Sequence, residues 1–331
     1  MQPPPGSGTT ALMNARIPRI LFVAVLPALT SCQNPPVKGP IDGGRALAHV
    51  RNLVAFGPRP SGSKALIQTR DYLLGVLRKA KIKAGIDSFT DPERAKGLRF
   101  HNVWAEIPGT RSKEDRLLVL GSHYDSKLCR GHPLPEQNFR FVGANDGGSS
   151  SGLLLEIALW LEQNPLPIPV LCVWFDGEES LEFDWNENRA LFGSKRCVKW
   201  LRARFPKERS LASCVPVMIL LDMVGAKDLS ISLDLNSDRE LISIVAKNAR
   251  ALGFEKHFFK GKVSVTDDHI PFLNYSIRVL DLIQFGDETS GPPSWWHTPD
   301  DDLDILSERS LAIVGNVLVA SLPEIVKRFY K

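Results

Sequence analysis

The sequence predicts an α/β domain built on one central mixed, mostly parallel, twisted sheet with helices on both faces. Three observations carry this expectation: short, continuously apolar runs alternate with stretches of helical spacing, no internal repeat interrupts them, and acids or histidines follow three of the runs directly. In open α/β sheets, ligands bind outside the carboxyl ends of the strands. Leu117-Leu118-Val119-Leu120 leads to His123 and Asp125, Val173-Trp174-Phe175 to Asp176, Glu178 and Glu179, and Met218-Ile219-Leu220-Leu221 to Asp222.

In chain order, helices are expected at 45–56 and 64–80, joined by Gly57-Pro58-Arg59-Pro60-Ser61-Gly62-Ser63, a turn whose serines can cap the second helix. Strands follow at 100–107 and 117–124, then a helix at 149–163, a strand at 170–175 and a helix at 190–204. The remainder reads as strand 215–224, helix 238–252, strand 277–283 and a closing helix over 310–329.

A chain of 331 residues with 43% hydrophobic content can bury one substantial core, and a single folded domain over 43–331 is expected. Residues 1–32 read as an export leader with its start at Met13. Arg16 and Arg19 precede an apolar run from Ile20 to Leu29 that is too short to span a bilayer. Leu29-Thr30-Ser31-Cys32 resembles the bacterial lipobox, which makes Cys32 the lipidated first residue of an envelope lipoprotein and 33–42, with its prolines, a tether. Contact with the membrane is expected only through that lipid. Without the two leader arginines, 39 of the 41 basic residues stand against 37 acids, so nothing points to nucleic acid. Cys129, Cys172, Cys197 and Cys214 show no zinc-ligand spacing, and Cys172 lies in an apolar run as a small buried thiol would.

A catalytic zinc ion takes nitrogen and oxygen ligands and keeps one position open. His123, Asp146, Glu179, Asp222 and His297 are the candidates, and Asp146 sits in Gly143-Ala144-Asn145-Asp146-Gly147-Gly148, where glycines let the backbone come close. Adjacent Glu178 and Glu179 disfavour each other's ionisation in a half-buried site, whereas a metal on one leaves the other free to carry a proton.

The segments His123-Tyr124-Asp125-Ser126-Lys127, Phe175-Asp176-Gly177-Glu178-Glu179, Leu220-Leu221-Asp222-Met223-Val224-Gly225-Ala226, Asp267-Asp268-His269-Ile270-Pro271-Phe272-Leu273 and Trp296-His297-Thr298-Pro299-Asp300-Asp301 occur in one order. Together they resemble the glutaminyl cyclases of the animal-like, single-zinc type, a branch of the M28-like zinc aminopeptidases. Asp267 before the Asp-His pair and Trp296 before the histidine separate that branch from the two-metal peptidases.

The resemblance implies Asp146, Glu179 and His297 as ligands of one Zn2+ per chain and Glu178 as the general acid/base. It implies Asp222 and Asp267 as a carboxyl pair beside Glu178, and Trp296 and Trp185 as walls for the glutamine side chain. His123, Asp125 and His269 are left as second-metal ligands or supports. The expected reaction is conversion of N-terminal glutamine in peptides or proteins to pyroglutamate by a monomeric enzyme. The alternatives are a secreted two-zinc aminopeptidase and an inactive binding lipoprotein. Animal members pair a cysteine before the His123 position with one after the Asp146 loop; Ser122 and Ser151 stand there instead.

Overall fold

In the computed structural model, residues 37–111 and 115–331 are described. The leader, Cys32 and the tether up to Pro36 lie outside them. The strands are β1 (Lys83–Phe89), β2 (Phe100–Ile107), β3 (Leu118–His123), β4 (Val170–Phe175), β5 (Val217–Asp222), β6 (Ile231–Asp234), β7 (Phe258–Val263) and β8 (Arg278–Ile283). Six of them form a sheet in the order β1-β2-β4-β3-β5-β8, and β6 and β7 form a separate parallel pair. The pairs β4/β3, β3/β5 and β5/β8 are parallel, while β1/β2 and β2/β4 are antiparallel. The mixed, mostly parallel sheet is as the sequence predicts.

The helices are α1 (Gly43–Ala55), α2 (Lys64–Lys79), α3 (Gly148–Gln163), α4 (Phe192–Arg204), α5 (Leu211–Cys214), α6 (Arg239–Ala251), α7 (Ile270–Leu273) and α8 (Glu308–Phe329). Alternate residues of each central strand go to opposite faces, so the two faces gather different helices. Leu118, Leu120, Cys172, Trp174 and Ile219 meet α1, α3 and α8, whereas Val119, Val173, Phe175, Met218 and Leu220 meet α4 and α7. Every residue of β3, β4 and β5 is buried, which is why these strands read as unbroken apolar runs. Burying each such side chain contributes about 1.5–3 kcal/mol. The closing helix α8 has the length and hydropathy of a membrane span, but 78% of its apolar window is buried against the rest of the protein. It is a core helix.

Local chemistry fixes the boundaries. Ser63 accepts from Leu66 N and starts α2, as the turn predicts, and Asp42, Asp238 and Ser307 cap α1, α6 and α8 in the same way. Three strands escape the sequence reading. β1 is an edge strand with Lys83, Asp87 and Ser88 among its seven residues, β6 has only four, and β7 carries Lys260, Gly261 and Lys262. None offers a continuous apolar run.

Candidate active site

His123 ends β3 and pairs in register with Phe175, which ends β4, while Asp222 ends β5 opposite Ile283 at the end of β8. The four parallel strands thus point their carboxyl ends at one rim. Asp146 arrives from the loop before α3, whose first turn is entered through Gly147 at φ 70°. A Cβ there would lie 2.7 Å from His123 Cε1 and 2.8 Å from the Asp125 carbonyl, so only glycine fits. His297 itself has φ 51°, a strained backbone for a residue with a side chain.

Two groups of donor atoms share Asp146. In the first, His297 Nε2 lies 3.3 Å from Asp146 Oδ2 and 3.4 Å from Glu179 Oε1. In the second, His123 Nε2 lies 3.2 Å from Asp146 Oδ1 and 3.1 Å from Asp222 Oδ1. Within each group the donor atoms fall inside 4.8 Å of one another, the spacing that a metal ion bridges. Glu179 Oε1 is buried and has no hydrogen-bond partner, while Glu179 Oε2 sits 3.5 Å from the Nζ of Lys127, itself buried. One orphaned carboxylate oxygen, one imidazole nitrogen and a second carboxylate form a donor set that fits zinc. The electrostatics agree. Burial disfavours the His297 imidazolium, yet Glu179 and Asp146 raise it to about 9, and the neighbouring His123 and His297 imidazoles hold the Asp146 carboxyl low against the same burial.

Of the remaining predicted residues, Glu178 is buried beside this set. Burial, together with Asp267 and Glu179 and against the pull of His123, lifts its carboxyl well above the usual range. Burial and then the Asp222 carboxylate push Asp267 up to about 7. Asp222 itself is directed at His123, with its Oδ1 accepting from Nε2 at 3.1 Å. Asp125 stands apart from the ligand atoms, because its two oxygens accept the backbone N–H of Glu178 and of Glu179, each at 3.3 Å. His269 does not join His123. Its ring lies between Asp234, 3.4 Å from Nε2, and Asp281, 3.6 Å from Nδ1, all three fully buried.

The pocket above the carboxylates has a volume of about 230 Å³. That is small for a ligand site and suits one side chain with its amine. Trp296 and Trp185 both line it, with Phe285, Ile283, Val265 and Met223. The Trp296 ring stacks on His297 at 3.9 Å and 18° and meets Phe285 edge-on at 5.1 Å. Trp185 is 45% exposed and stands at the mouth. Ser122 and Ser151, which replace the cysteine pair, touch at 3.2 Å between their hydroxyls, and the four described cysteines are free and buried.

The profile of peptidase family M28 matches residues 102–322. The chain belongs to this family, among its glutaminyl cyclases. A glutaminyl-peptide cyclotransferase-like protein of Bos taurus is 30% identical over 331 residues, covering 87% of this chain and 81% of its own. The crystal structure of Porphyromonas gingivalis glutaminyl cyclase superposes with a TM-score of 0.76 at 28% identity, over 87% of this chain and all of that one. A Zn-dependent exopeptidase from Parabacteroides distasonis superposes at 0.73 and 27% identity, over 88% and 99%.

Several functional residues have no role in the sequence reading. Phe285 and Val265 look like ordinary core residues until the loops fold over the rim. Lys127 and Asp301 fall inside segments that signal the family, yet only the fold reveals what they touch. Arg59 sits in a turn whose composition announces a helix connector and nothing more.

Proposed function

We propose that the chain is a zinc-dependent glutaminyl-peptide cyclotransferase, with one zinc ion held by Asp146, Glu179 and His297. The observation that carries the reading is a buried carboxyl of raised proton affinity, Glu178, placed beside a three-ligand set at the floor of a pocket walled by tryptophan. When bound, zinc supplies a Lewis acid for the γ-carboxamide of an N-terminal glutamine.

The chain's own groups do the rest. Trp296, stacked on His297, and Phe285, edge-on to the Trp296 ring, form an apolar corner that folds the side chain back toward its own amine. That raises the effective concentration of the nucleophile and keeps water from the amide carbon. Glu178 takes a proton from the α-nitrogen as that nitrogen attacks the carbon of the side-chain carboxamide. The new C–N bond closes the five-membered lactam, the bond from that carbon to the amide nitrogen breaks, and Glu178 returns the proton to the nitrogen that leaves as ammonia. Asp267, poised near neutrality beside Asp222, holds a proton where negative charge develops.

The second reading, a two-zinc aminopeptidase, is favoured by the His123, Asp146 and Asp222 group. Against it, the His123 contact with Asp222 already has hydrogen-bond geometry, whereas His297 makes no such bond to either carboxylate. One assay separates the two readings: a glutamine-initiated peptide and a leucine amide are each supplied, and ammonia, free amino acid and zinc per chain are measured. Ammonia with one zinc supports the cyclase, and leucine release with two zincs sinks it. We further read the enzyme as a monomer in the cell envelope, lipidated at Cys32. Incorporation of labelled palmitate that a Cys32→Ala variant loses tests the anchor.

A further inference from the structure

The ligand Asp146 and the ligand His297 sit on different loops, and one buried carboxylate joins those loops. Asp301 is fully buried. Its Oδ1 accepts the N–H of Asn145 at 2.6 Å and its Oδ2 accepts the N–H of Asp146 at 3.0 Å, while its own carbonyl accepts from Ala144 N at 3.3 Å. Asp301 belongs to the turn that carries His297, closed by the bonds from Asp301 N to Thr298 O and from Thr298 N to Trp295 O. The opposite polarity of the Asp146 loop is held by Arg59, whose guanidinium is also fully buried. It donates to Val142 O at 2.7 Å, to Gly143 O at 2.9 Å and to Tyr124 O at 3.2 Å.

We propose that Asp301 is a positioning residue for the metal centre: with Arg59 it locks the loop of Asp146 to the loop of His297, so that metal affinity depends on a side chain that never faces the ion. The inference rests on the zinc reading of Asp146, Glu179 and His297. The chemistry explains why an acid is required. Two successive backbone N–H groups need two acceptor oxygens, and only a carboxylate offers a pair at that spacing; an asparagine would set its own NH2 against one of them. Asp125 solves the same problem for the Glu178 and Glu179 amides, so each of the two carboxylate ligands hangs from a buried carboxylate outside the ligand set. Arg59 offsets the charge that burying Asp301 next to Asp146 would otherwise leave uncompensated.

The test is zinc affinity, measured by competition with a chromogenic chelator on purified full-length protein, for wild type, Asp301→Asn and a control, Asn316→Ala. Asn316 pins Ile41 in the core through two hydrogen bonds. Its loss therefore destabilises the fold without touching the ligand loops. The expected result is a ten- to hundred-fold weaker zinc affinity for D301N, the usual cost of losing a support behind a metal ligand, with wild-type affinity for N316A. Equal affinity in D301N and wild type overturns the proposal, and so does a loss in N316A as large as that in D301N. If D301N does not fold, Arg59→Lys carries the test, because lysine keeps the charge but cannot fork to both carbonyls; an unchanged affinity overturns the proposal again. A wild-type chain that binds no zinc fails differently, removing the zinc reading and this inference with it.

Discussion

Replacing Ser122 and Ser151 together by cysteine should install a disulfide and stabilise the protein. The hydroxyl oxygens already stand 3.2 Å apart, and 29 residues separate the two positions. In the chain-entropy treatment a closed loop of that size restricts the unfolded state by about 3.6 kcal/mol. The substitutions have a cost. Ser122 Oγ and Ser151 Oγ both donate to the His123 carbonyl, at 2.9 and 2.7 Å, and losing these two bonds costs about 1 kcal/mol each. The oxidised variant should therefore exceed wild type by about 1.5 kcal/mol, and its own reduced form by about 3.6. Because the lost hydroxyls are common to both forms of the variant, comparing oxidised with reduced protein isolates the cross-link. At roughly 2 °C per kcal/mol for a domain of this size, melting by circular dichroism should separate the two by about 7 °C. Scrambling is not expected: burial pushes the Cys129 thiol up to about 12 and the Cys172 and Cys197 thiols higher still, which keeps them protonated. An oxidised variant that melts no higher than its reduced form would refute the reasoning and show that the backbone here cannot accept the cross-link.

Glu178→Gln should lower kcat by about 10²- to 10⁴-fold while zinc per chain stays at the wild-type value, since the residue carries a proton and holds no ligand position; loss of zinc would contradict that division of labour. His297→Ala removes the imidazole ligand and should cut zinc content and activity together, as read by metal analysis and ammonia release. Because burial and Asp222 raise Asp267 to about 7, kcat/KM should fall as the pH rises through that value and Asp267 loses its proton. That limb should be missing from the residual activity of Asp267→Asn, and its persistence would assign it to another group. Trp296→Leu should raise KM for the glutamine peptide by removing the ring that stacks on His297, without changing zinc content.

What the sequence made legible follows burial. β2 and β4 could be placed residue for residue because both faces of the central sheet are covered, and a run such as Val170 to Phe175 has no other reading as clear. Asp146, Glu179 and His297 converge as expected because each follows a strand end or a glycine-rich turn that can only face the rim. The edge strand β1 and the small pair β6 and β7 stayed hidden because strands with an exposed face need no apolar continuity. His123, Asp125 and His269 take different places: His123 faces Asp146 and Asp222 with one nitrogen and Asp125 with the other, whereas His269 lies between Asp234 and Asp281. Which carboxylates each histidine faces depends on contacts among β3, β5, β6 and β8 that no local pattern encodes. Arg59 was illegible for the same reason: its partners are backbone carbonyls more than sixty residues away.

The site's excess of buried acid makes a last prediction about the metal-free chain. Burial, with neighbouring carboxylates, raises Glu178, Asp268 and Asp281 well above the carboxylate range, and puts Asp267 and Asp301 at about 7. A group of this kind keeps its proton in the folded state after the unfolded chain has lost it. For Asp267 and Asp301, stability is therefore lost as the pH rises from about 4 to about 7. His297 acts with the same sign in a later window: raised to about 9, it stabilises the fold fully below about 6.5 and ceases to do so as the pH passes 9. Asp146 opposes them only in acid, where protonation removes what its two histidine partners contribute. The chelated protein should thus melt progressively lower from pH 5 to pH 9, each strongly raised carboxyl contributing on the order of a few kcal/mol. Zinc supplies in one ion the positive charge that those protons supply separately, and it competes with the His297 proton directly. Saturating zinc should raise the melting temperature more at pH 8 than at pH 5. Equal shifts at the two values would mean that the buried carboxyls hold no protons for the metal to replace.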